Sequence, residues 1–196
     1  MKKRIKLCVL ACAALLLWMG IPTAPAESSE SVVFFGDSIT KRWPWGLLLP
    51  DYHVTNKGID GDTIQDLIER IDSLIELEPD TLFLMAGIND ILHQYDAELF
   101  QQDYEELLDA LQSALPNTRI YVESMLPTAW DLTNELTRPL NSVIEQACQE
   151  RGLAYIHLYD LFADEHGTLR RDFSLDGLHL SDEAYRYWIT IIEEYL

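Results

Sequence analysis

Five residues spread along the chain have the chemical groups that acyl transfer requires. Ser38 follows a Gly-Asp pair at the end of an apolar run and could act as a nucleophile. His179 could act as the general base, since imidazole titrates near neutral pH. Asp176 lies three residues before His179 and could hold its other ring nitrogen. Gly61 offers an unobstructed backbone N–H and Asn89 a side-chain amide, and both are suitable donors to an oxyanion.

Several other acidic residues lie near these positions, and structural roles explain most of them. Asp37 is expected to cap the turn or accept a hydrogen bond within it, and Asp90 is expected to stabilise a loop. Asp172 and Asp182 compete with Asp176 for the role of orienting the base. Asp182 stands where the N-terminus of a helix favours a carboxylate, and Asp172 belongs to no motif. The three-residue spacing to the candidate base therefore favours Asp176.

The candidate residues follow segments with the composition of buried strands. Residues 32–35 and 81–86 are continuous apolar runs, which are typical of strands buried on both faces. Further strands are predicted at residues 53–55, 119–123 and 153–158. Each of the first three strands is followed by a polar loop that contains one of the candidate residues.

Helical periodicity separates these strands. Helices are predicted over residues 64–75, with Asp62 as the candidate N-cap, and over 100–115, 140–149 and 184–195. Strands that alternate with helices indicate a parallel sheet covered on both faces. The predicted fold class is therefore α/β, a three-layer α/β/α sandwich of the flavodoxin type with about five parallel strands. In such sheets the functional site lies beyond the carboxyl ends of the strands.

Four sequence blocks resemble the motifs of the GDSL/SGNH hydrolase family, and they occur in the family's order. They are GDSIT at 36–40, GIDGD at 58–62, GIND at 87–90 and DGLHL at 176–180. The resemblance extends from about residue 31 to the C-terminus. It looks most like the branch that contains platelet-activating-factor acetylhydrolase-like and bacterial acetylesterase-like proteins. Isoleucine replaces the leucine of the family's common name.

This resemblance implies a role for each of the five residues. Ser38 would be the nucleophile, and its own N–H would join Gly61 and Asn89 in the oxyanion hole. His179 would be the base, and Asp176 its orienting partner. The Gly-x-Ser-x-Gly elbow of the α/β-hydrolases does not occur in the sequence, which argues against that route to the same chemistry.

Three further residues are candidate substrate contacts. Trp43 and Trp130, like Trp45, follow predicted strand ends, and an indole can stack on a sugar ring or line an acyl groove. His93 follows the Asn89 block and could line the mouth of the site. For each of them, packing or a place on the surface is an equally good explanation. No metal-ligand spacing and no nucleotide-binding motif occurs in the sequence, so we predict neither a catalytic metal nor a cofactor.

The N-terminal segment has the features of a bacterial secretory signal. The basic start MKKRIK precedes an uncharged apolar run over residues 7–21. Pro22 interrupts this run, and residues 24–26 supply the small-x-small pattern that precedes a cleavage point. The mature chain is expected to begin at Glu27.

We therefore predict a signal peptide over residues 1–26 and one hydrolase domain over 27–196, with export to the periplasm or the extracellular space. An uncleaved membrane anchor is a weaker alternative, because the apolar run is shorter than the about 20 residues of a membrane span. Lipid attachment at Cys12 is also disfavoured, since the apolar stretch before it is too short for an ordinary signal.

Charge restricts the partners. The chain has 14 Lys and Arg residues against 33 Asp and Glu residues, for a formal net charge of −19. So acidic a chain repels phosphate backbones and anionic membrane surfaces, which argues against a nucleic-acid partner and a stable membrane partner. The expected partner is a small-molecule, carbohydrate or lipid ester. The sequence leaves the oligomeric state open.

The sequence thus predicts an exported serine esterase that removes short, acetyl-type groups from oxygen esters, with carbohydrate as one substrate class. Two alternatives remain open. One is a lysophospholipase- or thioesterase-like acyl hydrolase of the same family. The other is a non-catalytic carbohydrate- or lipid-binding module on the same scaffold.

Overall fold

Five parallel strands form a single sheet in the computed structural model, which describes residues 29–94 and 96–196. The strands are β1 (Ser31–Gly36), β2 (His53–Gly58), β3 (Thr81–Met85), β4 (Arg119–Glu123) and β5 (Ala154–Ile156). Their order across the sheet is β2-β1-β3-β4-β5, and every neighbouring pair is parallel. The predicted α/β class and the five-stranded flavodoxin-type sheet are confirmed. The predicted signal peptide and Cys12 lie outside the described residues.

Helices connect the strands. The described part of the chain contains α1 (Ser38–Lys41), α2 (Trp45–Leu48), α3 (Ile64–Glu69), α4 (Asp72–Ile75), α5 (Ile88–Leu92), α6 (Ala97–Ala114), α7 (Asp131–Arg151), α8 (Tyr159–Phe162) and α9 (Asp182–Ile192), and a 3-10 helix at Arg171–Phe173. None of the helices described is both long enough and apolar enough to cross a membrane.

Aromatic side chains join one face of the sheet to its helices. Phe34 of β1, Phe83 of β3 and Tyr121 of β4 are paired in register, and their rings stack at centroid distances of 5.2 Å. Trp45 of α2 stacks on Phe34 at 4.1 Å, and its other contacts include the edge of Trp188 from α9 at 4.9 Å. Large apolar area removed from water stabilises this layer.

The opposite face is covered by the helices that follow β2, β3 and β4. Side chains alternate along a strand, so Phe35 points away from Phe34, and the Arg70 guanidinium lies 4.3 Å from its ring centroid. Helix α6 packs against both α3 and α7. Its apolar stripe, which the sequence predicts, is buried at Phe100, Tyr104, Leu107, Leu108 and Leu111.

The predicted helix over 64–75 is two short helices, α3 and α4. Helix α3 ends at Glu69, because the backbone of its C-cap, Arg70, leaves the helical region with φ −116° and ψ 14°. The N-cap of α3 is Thr63 and not Asp62. Thr63 forms a capping box with Asp66, which satisfies backbone donors at both positions. Asp62 instead forms an ion pair with Arg70 at 2.6 Å.

Helix α7 begins at Asp131 and not at residue 140. The buried positions in its first half are the polar Asn134 and Thr137, so apolar periodicity is missing there. Pro139 lies inside the helix and hides its continuity in the sequence. Cys148, near the C-terminal end of α7, is buried as expected, and burial raises the pKa of its thiol to about 12.

Candidate active site

Three of the candidate residues follow the three strands at one side of the sheet. Ser38 comes after β1, Gly61 after β2 and Asn89 after β3. The chain reverses its direction across the sheet between β1 and β3, and a crevice opens at such a point beyond the carboxyl ends of the strands. The strand order therefore gathers these three loops at one place.

The turn that contains Ser38 is tightly packed. A Cβ atom on Gly36 would lie 2.3 Å from the Met85 carbonyl oxygen of the neighbouring strand, so only glycine fits at the end of β1. Asp37 is the N-cap of α1, and its Oδ1 accepts the Ile39 N–H at 2.8 Å. This confirms the capping role expected for Asp37. Ser38 is the first residue of the helix and is only 6% exposed.

Helix α1 is held by side chains from three other elements. The Tyr185 hydroxyl of α9 donates to the Ile39 carbonyl at 2.6 Å, and the Trp45 indole N–H donates to the Thr40 carbonyl at 2.7 Å. Asn56 of β2 also donates to the Thr40 carbonyl, at 3.1 Å. Side chains from α2, β2 and α9 thus satisfy the carbonyl groups that so short a helix leaves free.

Ser38, His179 and Asp176 lie in line. The Ser38 Oγ is 3.0 Å from Nε2 of His179, and Nδ1 of His179 is 2.7 Å from Oδ2 of Asp176. A proton on Nδ1 donated to the carboxylate leaves Nε2 free to accept the Ser38 hydroxyl hydrogen. The structure therefore brings together, through side-chain hydrogen bonds, three groups that are up to 141 residues apart in the sequence.

The loop that contains the acid and the base is fixed by its own hydrogen bonds. Oδ1 of Asp176 accepts the N–H groups of Leu178 and His179 at 3.0 and 2.8 Å. Ser174 Oγ donates to the His179 carbonyl at 2.7 Å and accepts the Gly177 N–H at 2.9 Å. Residues 174–179 are called the catalytic loop below.

Asp176 stays ionised in this loop. Partial desolvation raises its pKa, but the hydrogen bonds from the His179 ring and from the N–H groups of Leu178 and His179 lower it more. The net result is a pKa well below the ordinary range of an aspartate. An ionised Asp176 favours the tautomer of His179 that has its proton on Nδ1.

The candidate oxyanion donors surround the same turn. Ser38 N–H, at the first position of α1, and Gly61 N–H donate to no acceptor among the described residues. Gly61 has φ +83°, and a Cβ there would meet nothing within 4 Å, so its backbone is open to a ligand. These two N–H groups are the kind of donors that stabilise a developing oxyanion.

Asn89 links the Gly61 loop to the Ser38 turn. Its Nδ2 donates to the Asp62 carbonyl at 2.8 Å and lies 3.5 Å from Oδ2 of Asp37. The hydrogen bond to the Asp62 carbonyl shows that the nitrogen of the Asn89 amide faces this loop. The amide oxygen in its place would be repelled by the carbonyl oxygen. The amide has two N–H bonds, and only a long contact to Asp37 competes for the second one.

Buried carboxylates lie behind these donors, and the sequence did not indicate how strongly they interact. Burial raises the pKa of Asp37 to about 7, against the lowering effect of its hydrogen bond from Ile39, and the charges of Asp62 and Asp90 add to the rise. Burial likewise raises the pKa of Asp90 to about 6, although the Ile64 N–H donates to this carboxylate. Asp90 thus has the loop-stabilising position expected for it.

Arg70 was not among the candidate residues of the sequence. Its Nε donates to Asp62 at 2.6 Å, and its Nη2 donates to the Gly36 carbonyl at 2.9 Å. The guanidinium thereby ties the loop after β2 to the end of β1. The sequence could not single out Arg70, because it belongs to no motif and its hydrogen-bond partners are 8 and 34 residues away.

The two competing aspartates are used elsewhere. Asp172 accepts a hydrogen bond from Arg170 at 2.7 Å. Asp182 occupies the first turn of α9, directly after the N-cap Ser181, as its sequence position predicts. Neither contact involves His179.

The tryptophans differ in exposure. Trp45 is 1% exposed and belongs to the core, so it is not a surface for substrate. Trp43 is partly buried and stacks on Tyr185 at 4.8 Å, and its indole N–H finds no acceptor in the part of the chain that the structure describes. Trp130 is 43% exposed and lies against Gly177 of the catalytic loop. His93 is exposed at the C-cap of α5.

Metal ligands are not grouped in residues 29–94 and 96–196. No three His, Cys, Asp or Glu side chains there are arranged to hold an ion. The groups around Ser38 instead comprise a nucleophile, a base with its carboxylate partner, and N–H donors. This set can transfer an acyl group to serine and then to water.

Comparisons with known proteins show which proteins this chain is similar to. The rat platelet-activating factor acetylhydrolase IB subunit alpha1 is 26% identical over 170 residues, which cover 81% of this chain and 72% of that protein. An acetylxylan esterase from Geobacillus stearothermophilus is 28% identical over 149 residues, which cover 61% of this chain and 68% of the esterase.

Solved structures share the fold. A GDSL-like lipase from Bacteroides thetaiotaomicron superposes with a TM-score of 0.74 at 21% identity, covering 87% of this chain and 89% of the other. The sequence pattern of the GDSL-like Lipase/Acylhydrolase family matches residues 34–187, which include Ser38, Gly61, Asn89, Asp176 and His179. The chain belongs to the GDSL-like lipase/acylhydrolase family.

Proposed function

We propose that the protein is a serine esterase that hydrolyses short-chain, acetyl-type oxygen esters through an acyl-Ser38 intermediate. The proposal depends above all on one observation, the hydrogen-bonded line from Ser38 Oγ to His179 at 3.0 Å and from His179 to Asp176 at 2.7 Å. A module that only binds a ligand has no need for such an alignment.

In the first step Ser38 Oγ attacks the carbonyl carbon of the ester while its proton passes to Nε2 of His179. The charge of Asp176 stabilises the imidazolium that forms, and Asp176 itself stays ionised. The tetrahedral intermediate collapses, the C–O bond to the alcohol breaks, and the alcohol leaves with the proton from Nε2. The products of this step are the free alcohol and an acyl ester on Ser38.

In the second step a water molecule attacks the acyl carbon. Nε2 of His179 takes a proton from the water and returns it to Ser38 Oγ as the acyl bond breaks. The carboxylic acid is released and the serine hydroxyl is restored. In both steps we assign stabilisation of the oxyanion to the N–H groups of Ser38 and Gly61 and to the amide of Asn89.

Two relatives support an acetyl group as the acyl part, because one is named as an acetylhydrolase and the other as an acetylxylan esterase. We propose carbohydrate as the alcohol part, with Trp43, Trp130 and His93 as substrate contacts. The exposed indole of Trp130 beside the catalytic loop favours a flat ligand surface at this place.

The test is hydrolysis of p-nitrophenyl esters of increasing chain length by the mature protein and by Ser38→Ala. Ser113→Ala, at an exposed position of α6, is the matched control. We expect the highest kcat/KM on the acetate, no turnover above background for Ser38→Ala, and stoichiometric labelling of Ser38 by a fluorophosphonate.

Each alternative gives a different result. A rate that rises steadily toward long chains would favour the lysophospholipase- or thioesterase-like activity. A protein that Ser38→Ala does not impair, or that a fluorophosphonate does not label, would contradict the assignment of the nucleophile. Glycan binding without labelling would favour the non-catalytic module.

We also propose that the protein is exported after removal of residues 1–26. Expression of the full chain in a bacterial host, followed by intact mass measurement of the exported product, tests this. We expect a chain that begins at Glu27. A product that keeps its N-terminal segment, or that has a lipid on Cys12, would contradict this proposal.

A further inference from the structure

The turn that contains Gly61 begins at Ile59 and ends at Asp62, and it is called the Gly61 turn below. Asp62 N–H donates to the Ile59 carbonyl at 3.4 Å, which closes the turn, and Gly61 at its third position has φ +83°. The start of the turn is connected to β1, because Ile59 N–H donates to the Gly36 carbonyl at 3.1 Å. The position of the Gly61 N–H, a proposed oxyanion donor, is therefore set by what holds Ile59 and Asp62.

Arg70, at the C-cap of α3, holds both ends of the Gly61 turn. Its Nε donates to Oδ2 of Asp62 at 2.6 Å. Its Nη2 donates at 2.9 Å to the Gly36 carbonyl, the same oxygen that accepts the Ile59 N–H. One end of the turn is thus bound to the guanidinium directly, and the other end through a shared acceptor. A guanidinium is planar and has its donors in a fixed fork, so it also sets the distance between these two acceptors.

The other two proposed oxyanion donors are linked to the same acceptors. The Asp62 carbonyl accepts Nδ2 of Asn89 at 2.8 Å, so the Asn89 amide is tied to the end of the turn. Gly36 lies two residues before Ser38, whose N–H is the third donor. One guanidinium, through its contacts with Gly36 and Asp62, is therefore connected to all three donors.

The Arg70 side chain is itself buried and fixed. It is 17% exposed, and its partner Asp62 is 11% exposed. The guanidinium carbon lies 4.3 Å from the ring centroid of Phe35, which is fully buried. Burial raises the pKa of Asp62, and the hydrogen bond from Arg70 opposes this rise. An ion pair in such surroundings keeps its geometry, because breaking it would leave an unpaired charge out of water.

The ion pair on the other side of Gly61 is different. Lys41 Nζ donates to Asp60 at 2.8 Å, but about half of each side chain is exposed. Exposed pairs of this kind contribute little, because water and salt screen them. We therefore expect Arg70, and not Lys41, to hold the Gly61 turn in place.

We propose that Arg70 is a positioning residue for the oxyanion hole, because its guanidinium fixes the Gly61 turn, the Asn89 amide and the start of the Ser38 turn relative to one another. Arg70 does not touch the substrate in this role. The inference rests on the proposed function, since it assigns Arg70 a task in acyl transfer to Ser38. A donor displaced by about 1 Å can cost roughly a hundredfold in rate, and the loss falls on the transition state. It should therefore appear in kcat more than in KM.

The first test measures kcat and KM on p-nitrophenyl acetate for Arg70→Gln and Arg70→Lys. Rates are referred to the folded fraction of each variant, which urea unfolding and near-ultraviolet circular dichroism provide. We expect kcat to fall about a hundredfold for Arg70→Gln, with little change in KM. Arg70→Lys keeps the charge but not the planar fork, and should recover part of this loss. A wild-type kcat per folded molecule in Arg70→Gln would overturn the proposal.

Arg151→Gln is the matched control. Arg151 is 15% exposed and its Nε donates to Asp109 at 2.6 Å, so its burial and the length of its ion pair match those of Arg70. It stands at the end of α7 that leads into β5, and hence at the opposite edge of the sheet from Ser38. We expect this variant to be less stable but to keep its kcat and KM. An equal fall in kcat in Arg151→Gln and Arg70→Gln would mean that lost stability explains both, and would refute the role of Arg70.

The second measurement does not depend on turnover. The Asn89 side-chain proton that is donated to the Asp62 carbonyl should exchange slowly with solvent, and NMR follows this exchange. We expect Arg70→Gln to speed the exchange at least tenfold and Arg151→Gln to leave it unchanged. Exchange that Arg70→Gln leaves unchanged would refute the positioning role, even if the protein is an esterase. Faster exchange in a protein without Ser38-dependent turnover would support the positioning role and contradict only the proposed function.

Discussion

Replacement of Glu123 by glutamine should make the protein more stable, and increasingly so as the pH rises. Glu123 ends β4 and is 1% exposed, and its Oε1 accepts the Trp188 indole N–H at 2.6 Å. Burial raises the pKa of Glu123 to about 8, although the hydrogen bond from Trp188 opposes the rise. Glutamine has nearly the same shape and keeps an acceptor oxygen for Trp188. The substitution therefore removes the titration and little else.

The sign and size follow from the two protonation equilibria. The unfolded chain loses the Glu123 proton near its ordinary pKa of 4.5, whereas the folded protein keeps it up to about pH 8. Between these values the folded state binds more protons, so the free energy of unfolding falls as the pH rises. At pH 7 the accumulated cost is about 3 kcal/mol, which Glu123→Gln would remove. For a chain of this size that corresponds to a rise in Tm of roughly 6–12 °C.

Thermal unfolding of the wild-type protein and of Glu123→Gln is measured from pH 4 to pH 9. Glu76→Gln, an exposed position, is the matched control and should follow the wild type throughout. The difference in Tm should be small near pH 4, grow between pH 5 and pH 8, and then level off. A difference that stays constant over this range would refute the reasoning, because it would mean that Glu123 has the same pKa in both states.

Three further predictions concern the candidate site. Asn89→Ala should lower kcat on p-nitrophenyl acetate by roughly 10²–10³ while some turnover remains, since two backbone donors are unaffected; a full-rate variant would remove Asn89 from the oxyanion hole. Gly177→Ala should lower kcat more than tenfold, because its φ is +85° and a Cβ would meet Ala129. The control Gly152→Ala, with φ +66° and open space around it, should lower only Tm. Equal kcat values for the two variants would show that the catalytic loop tolerates displacement. Arg70→Ala should cost about 3 kcal/mol in urea unfolding, since it leaves the carboxylate of Asp62 without its partner, and a cost below 1 kcal/mol would contradict this.

The parts of the fold that the sequence predicted depend on local patterns. Buried strands such as β3 are continuous apolar runs in the sequence, and the apolar residues of α6 recur at helical spacing. The residues of the candidate site could be singled out because each belongs to a short motif, three of them after strands and two in the loop before α9. Asp176 was preferred to Asp172 because of its spacing to His179 together with the family resemblance.

The parts that the sequence missed depend on long-range contacts. Arg70 and Glu123 have no local signal, since the partners that define them come from other elements, the end of β1 and α9. The first half of α7 was missed because its buried residues are polar. Their hydrogen-bond partners lie in the segment before the helix, as when Asn134 bonds to the backbone of Thr128. The sequence predicted Trp45 near the site because it follows a strand, but a position after a strand does not tell whether the side chain is exposed or buried.

The distance in sequence between Ser38 and His179 has a consequence for protein synthesis. A nascent chain on the ribosome lacks the candidate base until residue 179 has been translated, 141 residues after Ser38. The same C-terminal segment includes Tyr185, whose hydroxyl holds the Ile39 carbonyl in the nucleophile turn, and Trp188, which packs on Trp45. Docking of α9 thus both anchors the nucleophile turn and delivers the imidazole. A chain truncated before residue 179 would lack both the candidate base and the helix that holds the turn containing Ser38.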